Sequence, residues 1–147
     1  MNSKLVVKLR EETGAGVMEC KRALEKAGGD FEKAVEFIHE AGILKAESKK
    51  DRKTGAGLLY SYIHNERVGV LLEVRAETDF VVRSEPFKEL AHNLAMQIAA
   101  MEPADVKELL KQPFIKDESL SIADVVKRVT AKVGENIKVE KFCRYEL

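Results

Sequence analysis

The strict alternation of apolar residues from Val68 to Ala76 limits the fold of this chain more than any other feature. A period of two places alternate side chains on one face of a β-strand and the intervening residues on the other. A second strand candidate runs from Leu58 to His64, and the polar residues up to Arg67 provide a short turn between the two. The pattern therefore predicts a β-hairpin with one buried face, to which the segment Ile137–Tyr145 adds a third strand.

Most other apolar residues recur with the spacing of α-helices. Residues 3–44 predict three short helices separated by glycines, and Gly42 is expected to end the third. After the hairpin, one helix is expected from Pro86 to Pro103, and a shorter helix precedes another that ends at Gly134. The predicted fold class is α+β, with a three-helix N-terminal domain followed by an antiparallel three-stranded sheet covered by helices.

The composition divides the chain into two domains and a linker. We predict a three-helix domain over residues 1–45, a charged linker over 46–55 and an α+β core over 56–147. The linker is aperiodic and has no large apolar residue. Its basic pairs, Lys49–Lys50 and Arg52–Lys53, could form a nucleic-acid patch. They lack interleaved aromatic residues, so a solvated linker is the preferred interpretation.

The balance of charges argues against two classes of partner. The 25 lysines and arginines equal the 25 aspartates and glutamates, so no overall basic field attracts nucleic acid or an anionic membrane. The first residues are too charged for a secretory leader. The two cysteines, Cys20 and Cys143, lack the spacing of a metal or redox motif. We expect a cytoplasmic protein with reduced thiols.

The sequence lacks the motifs of the common enzyme classes. It has no phosphate-binding loop, and no serine or cysteine lies in a nucleophile motif. His39, His64 and His92 lack metal-ligand spacing, which is typical of surface or hydrogen-bonded histidines. We predict no catalytic residues, no metal and no cofactor, and hence a protein that acts by binding. An enzyme that uses His64 or His92 is a minor alternative, and it would need a pocket with converging polar groups.

Two apolar residues lie where a partner could contact them. Phe80 follows the hairpin, in a short stretch rich in charged residues between Glu77 and Arg83. Composition alone favours an aromatic that turns inward and caps its own core, whereas its place between two regular elements suits a wedge presented to a partner. Met18 lies beside Lys21 on the polar side of the second helix, where it either contacts a protein or covers the edge of the helical bundle.

Three stretches of the chain resemble the translation elongation factor Ts family, in the same order along the sequence. They are Leu9–Leu24, which contains Thr-Gly-Ala-Gly-Val-Met, then Thr78–Val81 (Thr-Asp-Phe-Val), then Val133–Ile137 (Val-Gly-Glu-Asn-Ile). Members of this family are guanine-nucleotide exchange factors for elongation factor Tu. The resemblance implies that the N-terminal domain is ubiquitin-associated-like, that the partner is elongation factor Tu, and that the chain is not itself a catalyst.

The resemblance also implies roles for particular residues. The turn that carries Asp79 and Phe80 is expected to enter the nucleotide-binding domain of elongation factor Tu and to disturb its Mg²⁺ site, so that GDP leaves. The residues assigned to this turn are Thr78, Asp79, Phe80 and Val81. A second set, in the N-terminal domain, matches family positions that touch the same partner and consists of Arg10, Val17 and Met18. On this interpretation Phe80 points outward.

The chain is too short for both the duplicated core and the inserted helical hairpin of long family members. It resembles the short form, which implies a homodimer whose second copy supplies the other core. The terminal strand is then a plausible dimer edge, with Cys143 close to its symmetry mate and expected to remain a free thiol. A competing hypothesis is a ubiquitin-associated-like scaffold or chaperone module, which binds through Val17 and Met18 and has no effect on a nucleotide.

Overall fold

The computed structural model describes residues 2–147, which begin with three helices. These are α1 (Ser3–Thr13), α2 (Val17–Lys26) and α3 (Phe31–Glu47). The side chain of Asn2 caps α1 and that of Asp30 caps α3, each by accepting a backbone N–H of the first turn. The three helices enclose a small core of their own, formed by Leu9, Cys20, Ala23, Leu24, Ala34 and Ile38.

The predicted hairpin follows and is confirmed. Strand β1 (Ala56–His64) pairs antiparallel with β2 (Val68–Ala76). Asn65 and Glu66 take positive φ values in the connecting turn, which matches the twist of the two strands. The alternate residues of β2 are buried as the pattern predicted, and they are Val70, Leu72, Val74 and Ala76.

Four helices, a small second sheet and a final strand complete the chain. They are α4 (Asp79–Val82), α5 (Glu85–Met101), α6 (Val106–Lys111), β3 (Pro113–Phe114), β4 (Asp117–Ser121), α7 (Ile122–Val133) and β5 (Lys138–Glu146). Strands β3 and β4 pair with each other, in a segment for which no strand was predicted. A capping box between Ser121 and Asp124 starts α7, and Gly134 ends it in the left-handed region at φ 77°.

Strand β5 pairs antiparallel with β2, which gives a three-stranded sheet in the order β1-β2-β5. The main hydrophobic core lies on one face of this sheet, where α5 packs on β1 and β2 and α7 packs on α5. The largest buried side chains of α5 are Phe87, Leu90, Leu94 and Ile98. This architecture confirms the predicted α+β class. No helix within residues 2–147 is long and apolar enough to cross a membrane.

The N-terminal helices rest on the α+β core through packing of α3 against α7. An ion pair between Glu47 and Lys127 supports this contact. The prediction that Gly42 ends the third helix is wrong, since Gly42 lies inside α3 and faces Ala131 of α7. The hydrophobic cluster of the N-terminal helices is separate from that of the α+β core. The exact domain boundaries at residues 45 and 55 stay a prediction.

Candidate partner-binding site

Phe80 projects from the surface on the short helix α4, with 87% of the residue exposed. Its neighbour Val81 is only 5% exposed and packs in the main core together with Val82. The inward orientation that composition favours for Phe80 is therefore wrong. The two valines attach the helix to the core, and Phe80 is the apolar side chain that the helix presents to solvent. Asp79 is exposed beside it.

Each end of α4 has a hydrogen bond between a neighbouring side chain and the backbone of Val81. Thr78 is the N-cap, and its hydroxyl oxygen accepts the N–H of Val81 at 3.4 Å. At the other end, the hydroxyl of Ser84 donates to the carbonyl oxygen of Val81 at 2.6 Å. A helix of four residues has little stability of its own, so these caps and the buried valines determine where Phe80 stands.

A glutamate from a distant part of the sequence also holds the cap. Glu135, in the loop between α7 and β5, accepts two hydrogen bonds from Thr78 through its two carboxylate oxygens. The backbone N–H of Thr78 donates to Oε1 at 2.9 Å, and its hydroxyl donates to Oε2 at 2.7 Å. Glu135 belongs to a stretch that carries the family resemblance, but no pattern in the sequence connects it with Thr78.

The residue after Glu135 extends this network to the segment that follows α3. The backbone N–H of Asn136 donates to Oε1 of Glu77 at 2.8 Å. Its side-chain amide donates to the carbonyl oxygens of Lys50 at 3.2 Å and Arg52 at 2.8 Å. The guanidinium of Arg52 in turn lies 3.7 Å from Glu77. Part of the segment that was predicted to be a solvated linker is therefore anchored to the core next to α4.

The second predicted set, in the N-terminal helices, is also at the surface. Val17 and Met18 lie together in the first turn of α2, and Met18 is 60% exposed. Arg10 is exposed in the last turn of α1. All three side chains are accessible to a partner. They lie on the N-terminal helices, whereas Phe80 lies on α4, and the anchored segment at residues 50–52 runs between the two regions.

The face of the sheet that lies opposite α5 carries an apolar surface that the sequence analysis missed. Its exposed large side chains are Leu59, Ile63, Leu71 and Tyr145, which we call the open sheet face. Cys143 lies on this face beside Leu71, and β5 is an edge strand. The sequence contained a signal for this surface. In the strand from Val68 to Ala76, Leu71 is a large apolar residue at one of the alternate positions that were expected to face solvent.

The histidines and cysteines have ordinary structural surroundings. Nδ1 of His92 lies 2.6 Å from the hydroxyl of Tyr60, and Nδ1 of His64 lies 2.8 Å from that of Tyr62. Cys20 and Cys143 are both free thiols, and burial raises the pKa of Cys20. Within residues 2–147, no three side chains of the types that bind metals come together.

Comparison with known proteins assigns the chain to a family. The family model described as Elongation factor TS matches it twice, over residues 31–108 and 77–147. The chain is 43% identical to elongation factor Ts of Synechococcus sp. strain RCC307, over all of this chain and 89% of the relative. It is 41% identical to elongation factor Ts of Thermotoga petrophila, over 97% of this chain and 94% of the relative.

The alignments also show a difference in length. The alignment with the Synechococcus protein extends over 194 positions and includes all 147 residues of this chain, so 47 positions (194 less 147) have no counterpart here. A third relative, elongation factor Ts of Thermosipho melanesiensis, is 39% identical over 99% of this chain. Because the family model and these relatives together cover almost the entire sequence, the chain belongs to the elongation factor Ts family of translation factors.

Proposed function

We propose that this chain is a guanine-nucleotide exchange factor that binds elongation factor Tu in its GDP-bound form and promotes release of GDP. Family membership supports the role in translation elongation. The observation that carries the mechanism is the 87% exposure of Phe80 on a helix fixed to the core by Val81 and Val82. An aromatic side chain held outward in this way can enter a partner without any rearrangement of its own chain.

The physical requirement for exchange is preferential binding to one state of the partner. A GTPase holds its nucleotide largely through the phosphates and a bridging Mg²⁺ ion. A factor that bound the closed and open states equally would not change nucleotide release. In the proposal, Asp79 and Phe80 stabilise a partner conformation in which the Mg²⁺ site is disturbed, and by linkage the nucleotide then binds more weakly.

The two residues of the tip contribute differently. Burial of Phe80 in a partner pocket would supply about 2 kcal/mol or more, as aromatic residues at the centre of interfaces commonly do. The carboxylate of Asp79 would lose hydration in the complex, so it is expected to meet hydrogen-bond donors there. Thr78 and Val81 hold the tip in place, by the cap and by core packing respectively.

Arg10, Val17 and Met18 form the second contact of the proposal. Their place on the N-terminal helices supports an anchor that binds the partner at a distance from the tip. Met18 is suited to such a contact, because its unbranched side chain adapts to different surfaces. The mechanism uses no covalent step and no cofactor, since the only ion involved belongs to the partner. The site of action is proposed to be the cytoplasm.

We further propose that the chain acts as a homodimer formed through the open sheet face. The open sheet face carries four exposed large side chains, Leu59, Ile63, Leu71 and Tyr145, with Glu73 and Lys141 paired among them. Apolar faces of this kind are usually covered in the functional assembly. The family model matches residues 77–108 twice, as expected if this one core corresponds to two regions of longer members. A second copy would then supply the missing half.

The test of the exchange function is the rate at which labelled GDP leaves elongation factor Tu with and without this protein. The proposal predicts a strong acceleration by substoichiometric amounts of the chain, because an exchange factor turns over. Binding to elongation factor Tu without any acceleration would contradict the proposal. That outcome would favour a scaffold that binds through Val17 and Met18.

A further inference from the structure

Glu135 has a position in the structure that the family assignment does not explain. It lies in the loop after α7, far along the sequence from α4, yet both of its carboxylate oxygens accept hydrogen bonds from Thr78. Two charge-assisted hydrogen bonds to one residue define an orientation as well as a distance. The residue that they orient is the N-cap of the helix that carries Phe80.

The loop that carries Glu135 is itself well fixed. Gly134 ends α7 on one side of it, and Asn136 on the other side is buried. Asn136 donates to Glu77 and to the carbonyl oxygens of Lys50 and Arg52, so the loop is held from two directions. The carboxylate of Glu135 therefore offers Thr78 a rigid support.

Such a support matters because Phe80 is so exposed. An exposed side chain on a four-residue helix makes too few contacts to fix its own direction. If the helix could move, part of the binding free energy would be lost in ordering it when the partner arrives. The two hydrogen bonds that Glu135 accepts from the Thr78 cap, together with the buried Val81 and Val82, restrict the movement of α4 before the partner binds.

We propose that Glu135 is a positioning residue for nucleotide exchange, which acts by fixing the Thr78 cap so that Phe80 is presented in its active direction. This inference rests on the proposed function of Phe80. It predicts that Glu135 affects exchange only through Phe80. Removal of the carboxylate should therefore slow GDP release in the wild-type background and have little effect once Phe80 has been replaced.

The experiment is a double-mutant cycle on the rate of labelled GDP release from elongation factor Tu at saturating concentrations of the full chain. The variants are Glu135→Ala, Phe80→Ala and the pair together. We expect Glu135→Ala to lower the maximal rate roughly tenfold, and the double variant to match Phe80→Ala within about twofold. Glu118→Ala is the matched control, because it removes an exposed carboxylate on β4, outside α4 and outside the three-stranded sheet, and it should release GDP at the wild-type rate.

The conservative variant Glu135→Gln removes the negative charge of the side chain and keeps its shape. It tests whether exchange requires the charge or the hydrogen bonds to Thr78, and it distinguishes a loss of positioning from a loss of the fold. Its amide oxygen can accept the N–H of Thr78, and its amide nitrogen can donate to the hydroxyl oxygen, so most of the rate should return. A Glu135→Ala rate equal to wild type would overturn the inference, as would losses from Glu135→Ala and Phe80→Ala that multiply in the double variant. If Phe80→Ala itself were as fast as wild type, the proposed role of Phe80 would fail and this inference with it.

Discussion

Gly42 on α3 faces Ala131 on α7 so closely that a Cβ atom on Gly42 would lie 3.0 Å from the Cβ of Ala131. Glycine inside a helix costs roughly 0.5–1 kcal/mol relative to alanine, so its presence here is explained by the close approach of the two helices. The N-terminal helices and the α+β core meet at this contact. Gly42 therefore allows α3 to pack closely on α7.

A larger side chain at this contact should separate the two helices. We predict that Gly42→Val lowers the free energy of unfolding by about 1–3 kcal/mol, because overpacking outweighs the small gain in helix propensity. Chemical denaturation of the full chain measures this change. Addition of Ala131→Gly should recover part of the loss by making room for the new methyl groups. Wild-type stability of the Gly42→Val variant would show that α3 and α7 do not pack this closely.

The same interface should respond to acid through His39. Burial lowers the pKa of His39 below its ordinary value of 6.5, and the positive charge of Arg128 adds to the effect. Glu19, Lys45 and Lys132 line the same cleft. Because the folded pKa is depressed, the folded state binds fewer protons than the unfolded chain. The contribution of His39 to stability is thus complete above the unfolded pKa, and it is lost as the pH falls from there through the lower folded pKa.

The corresponding measurement is the melting temperature between pH 7 and pH 5. We predict a decrease over this interval that is smaller in His39→Gln, which has a similar shape and does not titrate there. Carboxylates elsewhere in the chain affect both proteins alike, so the difference between the two curves isolates His39. Curves that fall in parallel would exclude His39 as the source of the pH dependence.

The proposed dimer depends on the open sheet face. Leu71 lies on the central strand of this face, opposite Cys143 of β5. We predict that Leu71→Glu converts a dimer into a monomer in analytical ultracentrifugation, since an unpaired carboxylate would be buried at the interface. Leu44→Glu is the matched control, because Leu44 is exposed on α3 and outside the sheet. A wild-type chain that sediments as a monomer would contradict the proposed dimer directly.

Most of the fold could be predicted because its signals are local. The alternation from Val68 to Ala76 and the glycine that ends α7, Gly134, act within a few positions, and the structure confirms both. The end of α3 could not be predicted, since the role of Gly42 depends on Ala131, which is distant in sequence. Strands β3 and β4 are short, and Pro113–Phe114 has no periodic signal.

The candidate site was less accessible to sequence reasoning. Periodicity does not determine whether Phe80 points inward or outward in a four-residue helix. Composition favoured the inward direction, and the family resemblance decided for the outward direction that the structure shows. The bonds between Thr78 and Glu135 require knowledge of how the loop after α7 returns to α4. Contacts of this kind arise from the tertiary fold, so no local pattern in the sequence contains them.

The central claim is that Phe80 drives nucleotide release, and its most direct test is the maximal rate of GDP release from elongation factor Tu at saturating Phe80→Ala. Leu44→Ala serves as the matched control, because it removes another exposed apolar side chain at a distance from α4. We predict that Phe80→Ala retains its fold and loses most of the acceleration, by roughly tenfold or more, while Leu44→Ala keeps the wild-type rate. A Phe80→Ala protein that accelerates release as well as the wild type would contradict the mechanism.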